Sequence, residues 1–183
     1  MKDPFLKEPP LKRRVNPLQS RNGDLLGPSL YFLKAESCYT LRPMSIEVIK
    51  SDQSVQAIIV RSTFSAPGIS FLTEPHLAQQ LAFMSHPEGK KIQPHIHNTA
   101  VRTIDTTSEV LIIKKGILRV DFFDNEKNYV ESRKLFEGDL ILLIGGGHGF
   151  EVLSDLEMFE VKQGPYLGEI DKTRFNYDGP TNL

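Results

Sequence analysis

From Met44 onward the chain is a succession of short runs rich in Val, Ile, Leu and Phe, divided by polar or glycine-bearing stretches. The runs are "IEVIK", "VQAIIV", "GISFL", "QLAFMSH", "KIQPHIH", "EVLIIKKG", "ILRVDFFD", "YVESRKLF", "DLILLI", "HGFEVL" and "EMFEVKQ". Between them stand "SDQS", "SAPG", "DNEKN", "EGD" and "LSD", which are suited to tight loops. In "ILRVDFFD", Leu118, Val120 and Phe122 alternate with Ile117, Arg119 and Asp121, the period of a strand with one dry face. "DLILLI" is apolar throughout, as in a strand covered on both faces, deep in a sandwich or beneath the N-terminal segment. No long amphipathic helix separates the runs, so about ten antiparallel strands in an all-β sandwich or barrel are expected.

The first 43 residues differ in kind. They hold six of the twelve prolines and carry eight basic against four acidic residues. Such proline density removes the amide donors that helices and sheets need, so residues 1–43 read as an extended or disordered basic extension, with a short helix pattern in "PSLYFLKAES". Its "LKRR" cluster reads as solvated charge. Met44, at the head of the first β run, is a second candidate start of translation. The expected organisation is thus an extension over 1–43, a β domain over 44–165 and a tail over 166–183.

Charge and cysteine usage narrow the function classes. A net charge of −1 and a pI of about 6.5 provide no general attraction to nucleic acid or anionic membrane, which leaves a small molecule as the expected partner. Cys38 stands alone, so neither an internal disulfide nor a thiolate metal cluster can form. There is no apolar stretch of about 18 residues, and "MKDPFLKEPPLKRR" lacks a signal-peptide core, so a soluble cytoplasmic protein is expected.

Candidate chemistry centres on "GKKIQPHIHN". Residues i and i+2 of a strand share a face, so His95 and His97 would point the same way with Ile96 opposite. Glu109 opens the next strongly apolar run, and His148 follows a glycine triplet in "IGGGHGF". Imidazoles with one carboxylate suit iron(II), manganese, zinc or nickel better than calcium, which prefers oxygen ligands throughout. "GGGHG" is followed by no helix pattern and so reads as a tight turn, not a phosphate cradle. His76 and His86 sit beside prolines and read as loop or strand-end residues.

These stretches resemble the cupin superfamily. "GKKIQPHIH" with "EVLIIKKG" is similar to the first cupin motif, in which a glycine precedes His-x-His and a Glu stands six residues before another glycine; "GDLILLIGGGHGF" is similar to the second. The resemblance implies a single jelly-roll barrel with His95, His97, Glu109 and His148 as ligands of a divalent transition metal. The sequence departs from the pattern in two places: eleven residues separate His97 from Glu109, and the second motif lacks its proline and is one residue short before His148. With the long loop, a water or Asp105 is an alternative fourth ligand.

The expected function is that of a metal-dependent enzyme acting on a small oxygen-rich metabolite, with sugar isomerase or epimerase chemistry and dioxygenase chemistry both open. Arg102, in the loop before Glu109, is a candidate clamp for a substrate carboxylate or phosphate. Tyr166, a further catalytic candidate, and Lys172 and Arg174 lie in a C-terminal segment that would fold over a barrel end or meet a second subunit. Alternatives are a non-catalytic ligand-binding module and a metal-free nucleotide-sugar isomerase with His95 as acid–base group. A homodimer would remove exposed β edges.

Overall fold

The computed structural model describes residues 45–52 and 54–179. The basic extension, Cys38 and the Met44 start lie outside the described residues.

Ten of the eleven apolar runs form strands, and every pairing is antiparallel. They are β1 (Ile46–Ser51), β2 (Ser54–Val60), β3 (Gly68–Phe71), β4 (Ala82–Ser85), β5 (Glu109–Lys115), β6 (Leu118–Phe123), β7 (Tyr129–Leu135), β8 (Leu140–Leu143), β9 (Gly147–Val152) and β10 (Glu157–Lys162). A five-stranded sheet has the order β1-β2-β8-β5-β10 and a three-stranded sheet the order β7-β6-β9, while β3 and β4 form a separate hairpin. The fold is all-β, and the sheets do not close into a barrel among the described residues.

The two larger sheets face each other across one core. Ala57, Ile59, Leu111, Ile113, Ile141 and Leu143 from the first sheet meet Leu118, Val120, Phe122 and Leu135 from the second, all at most 3% exposed. The alternation along β6 put Leu118, Val120 and Phe122 there, and each such fully buried side chain contributes about 1.5–3 kcal/mol. On β8, Ile141, Leu142 and Leu143 are buried on both faces, as the unbroken apolar run requires.

Connections that pass between the sheets are tightly built. The β5–β6 crossing lies against the β9–β10 crossing, with the Leu153 amide donating to the Ile117 carbonyl at 2.9 Å. Gly116, in the first crossing, has φ +91°, and a Cβ there would stand 2.1 Å from the Asp155 carbonyl oxygen. Only glycine fits. In the β7–β8 crossing Asp139 is buried and accepts from the Ser62 amide (2.9 Å), the Phe136 amide (3.0 Å) and the Arg61 guanidinium (2.8 Å). Arg61 also donates to Glu47 at 2.6 Å and to the Lys134 carbonyl at 2.8 Å. Burial opposes the Arg61 charge, but hydrogen bonds to Glu47 and Asp139 outweigh it and hold the guanidinium pKa above its ordinary value.

One expected strand does not form. "KIQPHIH" lies in irregular chain between β4 and β5, and residues 84–107 are exposed throughout. Its apolar–polar alternation is that of a strand, yet no described neighbour offers it a ladder, and a lone extended segment keeps its conformational entropy. Among the described residues no helix is long and apolar enough to cross a membrane.

Candidate functional site around Glu109 and His148

Glu109 is the first residue of β5 and pairs with Leu143 on β8 and Lys162 on β10. Directly opposed residues of antiparallel strands share a face, and Leu143 belongs to the core, so Glu109 and Lys162 project into the gap between the sheets. From the other side, His148 of β9 stands opposite Phe122 and also faces inward. His148 Nε2 lies 3.3 Å from Glu109 Oε2. The contact joins two residues 39 positions apart on different sheets.

A second carboxylate completes a polar row. Lys162 Nζ is 3.3 Å from Glu109 Oε1 and 2.8 Å from Asp171 Oδ2. The Asp171 contact is ionic, without the alignment of a hydrogen bond, and Oδ2 has no other partner. Thr107 donates to the other Asp171 oxygen at 3.4 Å. The electrostatic consequences are consistent in direction. The contact with His148, aided by Lys162 and opposed by burial, holds the Glu109 carboxyl below its usual range. Lys162 lowers the Asp171 pKa, and Asp171, with help from Glu109, raises that of Lys162.

Asp171 is carried by the C-terminal segment, which folds back over the second sheet. The Gln163 amide donates to the Ser108 carbonyl at 2.9 Å, and a short 3-10 turn spans Gly168–Asp171. Beyond it Phe175 and Tyr177 pack edge-on against Phe123, with ring centroids 5.1 and 4.7 Å away, and Tyr177 stacks on Tyr129 at 5.4 Å.

Strap and sheets together bound an open cleft of about 970 Å³, with Glu109, His148, Lys162 and Asp171 on its wall and Asp105, Lys172 and Arg174 at its margin. Arg174 is held by Glu169. Arg102 and Tyr166 are exposed and do not line the cleft. His76 and His86 are exposed, His76 in a turn and His86 just after β4.

The four residues expected to share a metal are not gathered within this chain. Glu109 and His148 meet, whereas His95 and His97 lie on the exposed 84–107 segment, in edge-to-face contact with each other at 5.2 Å. Among the described residues the cluster of potential donors within 4.8 Å of one another is Asp52, Asp124 and Glu126. Asp124 is engaged there by the Asn128 amide and side chain at 2.7 and 2.9 Å, the turn chemistry of the β6–β7 loop, while Asp52 comes from the β1–β2 turn. Lys162 and Asp171 escaped the sequence reading: the β5–β10 register and the tail's path place them, and no local pattern encodes either.

Comparison with protein-family models, with curated proteins and with solved structures gives no match for the chain.

Proposed function

We propose that the protein is a metal-binding cupin whose cleft takes a small oxygen-rich metabolite, with Glu109 and His148 as the ligand pair built into the sandwich and His95 and His97 completing the set. The observation that carries this reading is the convergence of Glu109 and His148 from opposite sheets at the cleft wall. Two donors about 2.1 Å from one ion and at right angles stand about 3.0 Å apart, close to the 3.3 Å separation of these atoms. The jelly-roll assignment is supported by the two facing antiparallel sheets and by the repeated crossing of the chain between them.

A divalent ion such as iron, manganese, zinc or nickel would supply Lewis acidity toward hydroxyl or carbonyl oxygens. The chain's own residues do the rest. Glu109 is held as a carboxylate by its contacts with His148 and Lys162, which lower its pKa, and this suits a metal ligand better than a proton acceptor. Lys162 stays protonated and presents a fixed positive charge to a substrate oxygen. The strap forms one side of the cleft and brings Asp171 to Lys162.

The test is elemental analysis of protein purified without chelators or nickel resin. Stoichiometric transition metal is expected in the wild type, lost in Glu109→Ala and His148→Ala and retained in His76→Ala. Equal metal content in all four would remove the assignment.

A second reading has its own observation. Lys162 already stands between Glu109 and Asp171 as a cation from within the chain, so the row His148–Glu109–Lys162–Asp171 links alternating charged groups as an acid–base relay without an ion. Full substrate turnover by chelator-treated, metal-free protein would favour it.

A further inference from the structure

Lys162 stands between two carboxylates that come from different parts of the chain. Glu109 belongs to β5 in the sandwich and Asp171 to the C-terminal strap, and the ammonium lies nearer Asp171, at 2.8 Å, than Glu109, at 3.3 Å. The side chains of Glu109, Lys162 and Asp171 are 13%, 22% and 11% exposed, so water screens their charges poorly. Glu109 is thus shared with a cation of the chain itself, and a cation from outside must contend with it.

The strap that carries Asp171 is lightly attached. Among the described residues no backbone hydrogen bond joins residues 164–179 to the sheets; the last such bond is that of the Gln163 amide to Ser108. Tyr166 and Leu167 are 74% and 57% exposed, and Arg174 pairs within the strap, with Glu169. Two places hold it. Asp171 meets Lys162 and Thr107, and Phe175 and Tyr177 pack on Phe123, with Lys127 over the Phe175 ring at 5.7 Å. A segment with so few ties opens well below the cost of global unfolding.

We propose that Asp171 is a positioning residue of the candidate metal site, and that docking of the strap and occupancy of the site are linked through Lys162. This rests on the metal-binding reading above. With the strap docked, Asp171 draws Lys162 to itself and leaves Glu109 available to an ion. With the strap undocked, Glu109 is the carboxylate left to Lys162, which then offsets its charge and competes with the ion. A divalent ion at Glu109 and His148 repels the ammonium in turn, drives it toward Asp171 and tightens the strap. The coupling is reciprocal: the factor by which docking raises affinity for the ion is the factor by which the ion favours docking.

Zinc affinity of the full-length protein, measured by competition with a chromophoric chelator, tests this. Asp171→Asn keeps the side chain's shape, removes its charge and should weaken zinc binding about 10-fold. In a Lys162→Met background the same change should weaken it less than about 3-fold, because no ammonium is left to be drawn from Glu109. Equal weakening in both backgrounds would mean that Asp171 acts on the ion directly, and no weakening in either would make the strap a bystander. Both results overturn the linkage and leave the metal reading standing. A wild type that binds no zinc removes the metal reading, and the linkage with it.

Limited trypsin digestion reads the reverse direction. Saturating zinc should slow release of the C-terminal peptides cut at Lys172 and Arg174 about 10-fold in wild type and leave it unchanged in zinc-saturated Asp171→Asn. Equal protection of both proteins, or none in a wild type that holds zinc, overturns the linkage.

Discussion

Gly116 and Gly68 both have positive φ, +91° and +71°, but differ in what surrounds them. At Gly68 an added Cβ meets nothing within 4 Å, so Gly68→Ala pays only the left-handed backbone cost of about 1–2 kcal/mol. Part of that is offset by about 0.4–1 kcal/mol from the stiffer unfolded chain, for a net loss of about 1 kcal/mol. At Gly116 the same Cβ would stand 2.1 Å from the Asp155 carbonyl oxygen, 2.9 Å from its carbon and 3.0 Å from Leu156 Cα. These are backbone atoms, and the crossing they belong to is tied to β5–β6 by the Leu153–Ile117 hydrogen bond. No side-chain rotation relieves the clash. The strand ends must separate by about 1 Å, which adds an overpacking cost of about 1–3 kcal/mol or more. Gly116→Ala should therefore lose about 2–4 kcal/mol. Urea unfolding followed by far-ultraviolet circular dichroism reads the difference: with a slope of about 2 kcal/mol/M, the Gly116→Ala midpoint should fall about 0.5–1.5 M below that of Gly68→Ala. Equal midpoints would refute the reasoning, showing that the crossing yields freely and that φ alone sets the cost.

Asp139→Ala should cost about 3–5 kcal/mol in the same assay, because it leaves Arg61 buried with one partner fewer and two backbone amides unsatisfied; a loss under 1 kcal/mol would show that the network is not a structural tie. Phe175→Ala/Tyr177→Ala should release the strap, so that trypsin cuts at Lys172 and Arg174 faster than in wild type; unchanged cleavage would mean the aromatic contacts do not hold it. The Lys162–Asp171 latch has a signed pH dependence. Asp171 has a lowered pKa, so its contribution is complete above the ordinary aspartate value of 3.8 and disappears as pH falls through the depressed one. Lys162 has a raised pKa, so its contribution is complete below the ordinary 10.5 and disappears as pH rises through the elevated value. The Ile170 methyl chemical shift, which follows docking of the strap, should be flat between those limits, and its transitions outside them should be absent in Lys162→Met; a transition near pH 7 in wild type that persists in Lys162→Met would contradict the latch.

Strand positions were legible because they follow a local period. The alternation in "ILRVDFFD" predicts the core face of β6, Leu118, Val120 and Phe122, though not that Asp121 and Phe123 on the other face are buried as well, and the unbroken "DLILLI" predicts a strand covered on both faces. The glycine after "EVLIIKK" and the Gly-Asp turn before "LILL" were legible as chain reversals, though not the Asp155 carbonyl or the Arg61 network that make them necessary. Glu109 and His148 were nominated as partners through the resemblance of their two stretches to the cupin motifs. "KIQPHIH" was misread as a strand of the folded chain, because alternation shows that a segment can pair without supplying the neighbour it pairs with.

What the sequence determined by itself is the all-β character, the strand positions, the core face of β6 and the nomination of the histidines and Glu109. Only the tertiary structure decided that β10 aligns Lys162 with Glu109, that the tail returns to set Asp171 beside them, and that β9 pairs with β6 alone among the described residues. The division has a physical cause. Burial along one strand depends on a two-residue repeat written into neighbouring positions, whereas register, tail docking and edge occupancy depend on which distant surfaces find each other, a competition among long-range contacts that no short stretch of chain encodes.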